Sequence, residues 1–331
     1  MQKISKNELI EKAVSLLESG KVQKVIGWKE GEFSYDVTPY IFTTADEIKK
    51  DFVFNSFCGV NLSKYLIKEC AKGDEKILVF LKPCDTYSFN QLLTEHRFDR
   101  EKVYVVGVSC EGMADISKIR EKVEGISAIE ENEDGITVKS LYDGDISLTK
   151  EEALAERCLS CKSKKHVVYD ELLGEEGTKT DNQRFMDVER LEKMTPDERY
   201  EFWKGELSRC IRCNACRDAC PACTCEKCVF TNAASGFENK AVADSFEEKM
   251  FHIIRAFHVA GRCTDCGECS RVCPQNIPLH LLNRKYIKDI NSFYGEYQAG
   301  EEAYQRSPLV NYTTDDIEPG DAVAKGDGVN A

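Results

Sequence analysis

The chain has 331 residues, 42% of them hydrophobic, and a formal net charge of −13. That length predicts about two domains with ordinary cores, and the acidic balance argues against a nucleic-acid binder, which needs a basic face, while permitting docking on a basic protein. Seventeen cysteines would mean a disulfide scaffold only in a short secreted chain; here the polar start, Met1 to Glu8, reads as no signal peptide and no apolar run approaches the roughly 18 residues of a membrane span, so the expectation is a cytoplasmic protein with reduced, metallated thiols.

Residues 1–175 read as an α/β domain. Ser5-Lys-Asn-Glu8 is a capping box ahead of the helical apolar positions Leu9, Ala13, Leu16 and Leu17. Val22–Trp28 and Glu32–Phe42 are predicted strands, and Asn61–Ala71 a helix. Two buried-strand runs follow, Lys76–Leu81 and Val103–Val108, each leading into a helix-like stretch. Strand, helix, strand, helix is the rhythm of a mostly parallel sheet. Both runs also lead into a cysteine, Cys84 in Lys82-Pro-Cys84-Asp85 and Cys110 in Ser109-Cys110-Glu111. Ligands of open α/β sheets bind at the carboxyl ends of the strands, so Cys84 and Cys110 are expected near each other there. Cys158 and Cys161 follow as a C-x-x-C pair, with Lys162, Lys164 and Lys165 behind. Four thiols make one more cubane site; the alternative is buried, inert cysteine.

Residues 176–205 read as a polar linker and a helix. Thr195-Pro196-Asp197-Glu198 opens that helix, which carries Tyr200, Phe202, Trp203 and Leu207 into Cys210. Two matching runs then dominate the chain. The first is Cys210-Ile-Arg-Cys213-Asn-Ala-Cys216-Arg-Asp-Ala-Cys220-Pro221, the second Cys263-Thr-Asp-Cys266-Gly-Glu-Cys269-Ser-Arg-Val-Cys273-Pro274. Both read C-x-x-C-x-x-C-x-x-x-C-P, the run that holds [4Fe–4S] clusters, the fourth cysteine ligating the other cluster. The predicted ligation is crossed: Cys210, Cys213, Cys216 and Cys273 for cluster one, Cys263, Cys266, Cys269 and Cys220 for cluster two. Zinc wants paired C-x-x-C motifs instead.

These runs define residues 206–285 as an α+β ferredoxin-like dicluster domain with a helical insertion, 42 residues between Cys220 and Cys263. The insertion holds Cys223, Cys225 and Cys228 and an amphipathic helix from about Ser245 to Val259. His252 and His258 on that helix are read as ordinary helical histidines, outside the chemistry. Residues 286–331 are expected to be a helical extension, broken at Gly295, and an acidic tail from about Thr313. Of the five remaining cysteines Cys70 is structural. Cys58, Cys223, Cys225 and Cys228 complete a fourth cluster if Cys58 folds over the insertion; sequence leaves mixing between the third and fourth sets open.

Just as informative are the motifs the chain lacks. There is no G-x-G-x-x-G after a strand, no Walker A run and no Ser/His/Asp order. The chain reads as an electron carrier without a centre that transforms substrate.

The ordered set of motifs resembles the iron–sulfur β subunits of formate dehydrogenases, hydrogenases and heterodisulfide-reductase complexes of anaerobes, among them deazaflavin-linked and sulfhydrogenase β subunits and the A subunit of anaerobic sulfite reductase. Lys82-Pro-Cys84-Asp85, Val106–Cys110, Cys158/Cys161, Glu201–Lys204, Leu207–Cys213, Cys220–Cys225 and Leu281–Lys285 carry it. The resemblance implies an amino domain that holds a cluster or cradles a flavin, and no motif here fixes FAD. Thr224 stands where many relatives have an aromatic between two cysteines. It also implies a subunit that relays electrons within a cytosolic complex, its partner a formate dehydrogenase, a hydrogenase or a flavin-bearing heterodisulfide-reductase-like subunit. The alternative is a flavin-containing subunit that oxidises a reduced deazaflavin or similar hydride donor.

Overall fold

The structure, a computed structural model, describes residues 2–162, 164–177, 183–235 and 245–311. The amino domain is built on a five-stranded sheet in the order β2-β1-β3-β4-β8. Its strands are β1 (Lys24–Glu30), β2 (Val37–Phe42), β3 (Ile77–Leu81), β4 (Val103–Val108) and β8 (Glu171–Leu173). β1, β3, β4 and β8 are parallel, and β2 is an antiparallel edge on β1. β3 and β4 are buried at every position, as continuous aliphatic runs in a sheet covered on both faces must be. The mostly parallel α/β reading of the amino domain, with a dicluster region behind it, is borne out.

Local chemistry moved some boundaries. The second strand starts at Val37, not Glu32, because Gly31 and Asp36 close a turn: Gly31 N–H donates to the Asp36 carbonyl at 2.6 Å and Asp36 N–H to the Phe33 carbonyl at 2.8 Å. The expected Asn61–Ala71 helix splits into a 3-10 turn, Leu62–Lys64, and a short helix, Tyr65–Cys70, with the Asn61 side chain accepting from Ser63 N–H. A second sheet was not foreseen. β5 (Ile126–Glu131), β6 (Gly135–Ser140) and β7 (Gly144–Thr149) form an antiparallel meander over its own small core of Ile129, Ile136, Val138 and Leu148.

The helix Pro83–Thr94 decides how the two domains meet. Ten of its residues are buried, polar ones included, because the carboxyl-terminal domain covers the face that would otherwise be wet. Ser88 pairs with Thr264 at 2.8 Å and receives Asn61 Nδ2 at 2.8 Å. Lys64 Nζ donates to the carbonyls of Cys220 and Cys223, and Arg262 holds Glu95 through both Nε and an Nη. Charges are sealed into the same interface. Glu268 accepts from Arg157 at 2.7 Å and from Arg271 at 2.8 Å; Asp265 accepts from Arg284 and Arg184, each at 2.8 Å. Both carboxylates are buried, as is Arg284. Removing one partner from a buried ion pair of this kind is strongly destabilising, because the other charge is left buried and unanswered.

The helix Pro196–Ser208 starts where expected, and Thr195 and Glu198 close a capping box over its first turn. The helix Leu279–Tyr294 ends at Gly295, whose φ of +89° suits glycine; it runs straight through the expected boundary at residue 285. The acidic tail lies outside the described residues. Among the described residues no helix is long and apolar enough to cross a membrane.

Candidate metal centre

The two cysteine runs fold alike. Arg212 and Asn214 in the first, and Asp265 and Gly267 in the second, occupy the left-handed region at φ 55°, 62°, 56° and 69°. These are equivalent positions, either side of the second cysteine of each run. Alternating left- and right-handed residues turn successive backbone N–H groups inward, making a concave anion-binding nest. Arg212 N–H points at Cys210 Sγ at 3.4 Å, and the backbone N–H groups of Asp265, Glu268 and Ser270 donate to Cys263, Cys266 and Cys269. Asn283 Nδ2 adds a side-chain contact to Cys269 Sγ at 3.6 Å. Gly267 has a second reason to be glycine: a Cβ there would meet Arg157 at 2.4 Å.

The chain crosses over between runs. Cys210, Cys213, Cys216 and Cys273 line one cavity together with Phe251 and His252. Cys220 instead lies with the second run, where Cys263, Cys266 and Cys269 each feel it as a charged neighbour. Burial pushes the Cys216 thiol up to about 11 and those of Cys266 and Cys269 up to about 12. Cys220 goes the other way: a hydrogen bond with Cys223, helped by Arg255 and Lys64, outweighs its burial and holds its thiol below the ordinary value. Neutral thiols must shed protons to bind metal.

At the carboxyl edge of the amino-domain sheet, Cys84, Cys110, Cys158 and Cys161 line a single cavity, as the strand ends foretold. Cys84 opens the helix after β3, Cys110 follows β4, and Cys158 sits in the short helix Glu156–Leu159. Met113 N–H donates to Cys158 Sγ at 3.3 Å. Burial raises the Cys84 thiol well above its ordinary value and takes Cys110 to about 12. Cations surround the four sulfurs: Lys82, Arg157, Lys162 and Lys164 line the same cavity. Lys82 is buried, with Asp85 at 2.7 Å, the Val60 carbonyl at 2.9 Å and the Trp28 ring at 4.9 Å. Burial works against its charge, but Asp85 with Cys84 and Cys110 outweighs that and holds its pKa above the usual value. Lys162 donates to the Thr264 carbonyl and stands 4.1 Å from the Tyr87 ring. Asp265 and Cys266 of the second run complete the wall, so the two thiol sets are immediate neighbours.

Orphaned polar atoms mark these places as fitted to something more than protein. Among the described residues both ring nitrogens of buried His252, the Nε of Arg157 and the Nε of Arg255 find no hydrogen-bond partner, and leaving such a group unsatisfied costs about 1–3 kcal/mol. His252 and Arg157 line the two thiol cavities. Among the described residues no three Cys, His, Asp or Glu side chains converge on a single ion. The thiols stand around cavities instead, which suits a cubane, whose thiolates sit at separate irons, better than zinc. The residues present therefore fit [4Fe–4S] clusters.

The expected fourth set does not assemble. Cys58 is fully buried in the amino-domain core, donates to the Val53 carbonyl, accepts Asn55 N–H at 3.3 Å, and is pushed up to about 12 by burial. Cys223, Cys225 and Cys228 line a different cavity, beside Arg217, Arg255, His258 and Arg262. The correction has a simple cause: the Asn55 turn folds Cys58 back under β1 rather than out over the insertion. Cys70 is buried at a helix end, as a structural cysteine. Sequence reasoning set aside His252 and passed over Arg157, Arg255 and Asn283; only their tertiary placement against sulfur reveals them.

Residues 206–277 match a protein family described as a 4Fe-4S dicluster domain, so this region carries two [4Fe–4S] clusters. Over 82% of its length the chain is, further, distantly homologous to a formate dehydrogenase β subunit. It is 25% identical over 340 residues to the "F420-dependent formate dehydrogenase subunit beta" of Methanocaldococcus jannaschii, covering 82% of this chain and 86% of that one. It is likewise 25% identical over 341 residues to the "F420-dependent formate dehydrogenase 1 subunit beta" of Methanococcus maripaludis, covering 83% and 87%. Among solved structures, a chain of the F420-reducing [NiFe] hydrogenase complex from Methanosarcina barkeri aligns with a TM-score of 0.37 and 14% identity over 63% of this chain and 91% of its own, a likeness too distant to bear on the site.

Proposed function

We propose that this chain is an electron-relay subunit with three [4Fe–4S] centres in line, working inside a cytoplasmic complex. Cys84, Cys110, Cys158 and Cys161 hold the first; Cys263, Cys266, Cys269 and Cys220 the second; Cys210, Cys213, Cys216 and Cys273 the third. When bound, each cluster supplies one-electron acceptance and donation at a potential set by nearby charge, hydrogen bonds and solvent access. The chain's part is to hold the three sites in register. The observation that carries the reading is Cys266, which lines the cavity of the amino-domain thiols while belonging to the second run; Cys216 and Cys269 in turn lie close enough to influence one another. The exposure of Cys213 supports the third centre as the outer end. Lys82, Arg157 and Lys162 give the first centre a cationic wall that favours its reduced form. The partner is a catalytic or flavin-bearing subunit: a formate dehydrogenase, a hydrogenase or a heterodisulfide-reductase-like protein.

A second reading is a flavin-containing subunit that oxidises a reduced deazaflavin or similar hydride donor; the relatives named F420-dependent formate dehydrogenase subunits keep it in play. Stoichiometric reductive titration under EPR separates the two. The relay takes up about three electrons per chain, one per cluster, with magnetic interaction between the amino-domain and second-run centres. A bleaching flavin band with two further electrons would move the chain to the second reading. Uptake of about two electrons, both into the dicluster region, would end the three-centre proposal.

A further inference from the structure

The insertion between the two cysteine runs delivers one buried cation to the thiols of both runs. Arg255, on the helix Ser245–Val259, is only 4% exposed. One Nη donates to the Cys216 carbonyl at 2.8 Å, while its buried Nε has no partner among the described residues. The groups around it come from both cluster sets: Cys216 from the first-run set, Cys220 and Cys269 from the second, with Cys223 alongside. Burial works against its charge, and these thiols, not carboxylates, are what outweighs it.

An unpaired guanidinium sealed from water is costly unless an anion answers it. A cluster with four thiolates is such an anion, and its reduced form carries one more negative charge. In a low-dielectric interior a fixed cation stabilises that extra charge strongly. We propose that Arg255 is the shared cation of the two dicluster centres, its Nε donating to cluster sulfur and its charge holding both reduction potentials up. The inference rests on the reading that the two runs hold clusters. It also gives the insertion a purpose: the helix threads one positive charge between two sites that would otherwise repel each other's electrons. Arg255 is a positioning and tuning residue; it is not a ligand.

The test uses the full chain, prepared anaerobically, with Arg255→Gln, Arg255→Lys and Lys249→Gln. Lys249 lies on the same helix and donates to the Tyr200 hydroxyl, whereas Arg255 donates to the Cys216 carbonyl, so the loss of Lys249 removes equal charge elsewhere. Iron is counted first, then both midpoint potentials are read by EPR-monitored redox titration. Arg255→Gln is expected to keep its iron while both potentials move negative together. Arg255→Lys, which restores charge without the Nε donor, should recover part of the shift, and Lys249→Gln none of it. Wild-type potentials in Arg255→Gln, or a shift in one centre alone, would overturn the proposal. Should Arg255→Gln lose iron, Arg255→Lys decides: unchanged potentials there also overturn it. A wild-type dicluster region without iron would refute the cluster reading itself, a different failure.

Discussion

Replacing Cys84 and Cys110 together by alanine should remove about four irons per chain, one cubane's worth, and leave the spectra of the other two clusters in place. The two thiols come from successive strand ends, and the chain brings Cys158 and Cys161 to the same cavity. Two thiolates cannot hold a cubane, so loss at this site should be complete rather than graded. Cys110 and Cys84 are half-buried, where inert cysteines would also sit, and the experiment separates the two roles. Unchanged iron in a folded double variant would make these cysteines core packing. Loss of iron from the dicluster region as well would show that the first cavity is required for the second to form.

Glu268→Gln should cost about 3 kcal/mol of stability at pH 7. The carboxylate is 1% exposed and accepts from Arg157, from both Nε and an Nη of Arg271, and from Asn61 N–H at 3.3 Å. Burial would raise its pKa, but Arg271 and Arg157 outweigh burial and bring it from 4.5 to about 2. At about 1.36 kcal/mol per unit that depression gives the estimate. Because the folded value is depressed, the stabilisation is fully present above about 4.5 and is lost as pH falls towards 2. Denaturant unfolding of the two proteins should therefore differ most near neutrality, and the gap should close in acid. Equal stability at pH 7 would mean that the Arg157–Glu268–Arg271 group fixes the domain interface without strengthening it.

Much of this architecture is legible in the sequence because its signals are local. The C-x-x-C-x-x-C-x-x-x-C-P runs carry their own geometry, down to the paired left-handed residues at Arg212/Asn214 and Asp265/Gly267. The fully apolar runs of β3 and β4 announce a covered parallel sheet, and the cysteines after them land on one edge. What escaped depends on distant partners. β5 to β7 are short strands with half-exposed faces, so neither periodicity nor a run of aliphatics marks them. β8 has three residues and is a strand only because β4 pairs with it. Cys58 looked available because sequence counts thiols and cannot see that the Asn55 turn buries one. His252 and Arg255 look like an ordinary amphipathic helix; what sets them apart is that the His252 ring nitrogens and the Arg255 Nε are buried without a partner among the described residues, a property of the folded chain.

The most direct measurement is iron, acid-labile sulfide and flavin per chain in the native protein, purified anaerobically with whatever accompanies it. The relay described above predicts about twelve irons, an equal amount of sulfide and no flavin on this chain, at four irons per cubane. About eight irons would confine the clusters to the dicluster region and contradict the role given to Cys84, Cys110, Cys158 and Cys161.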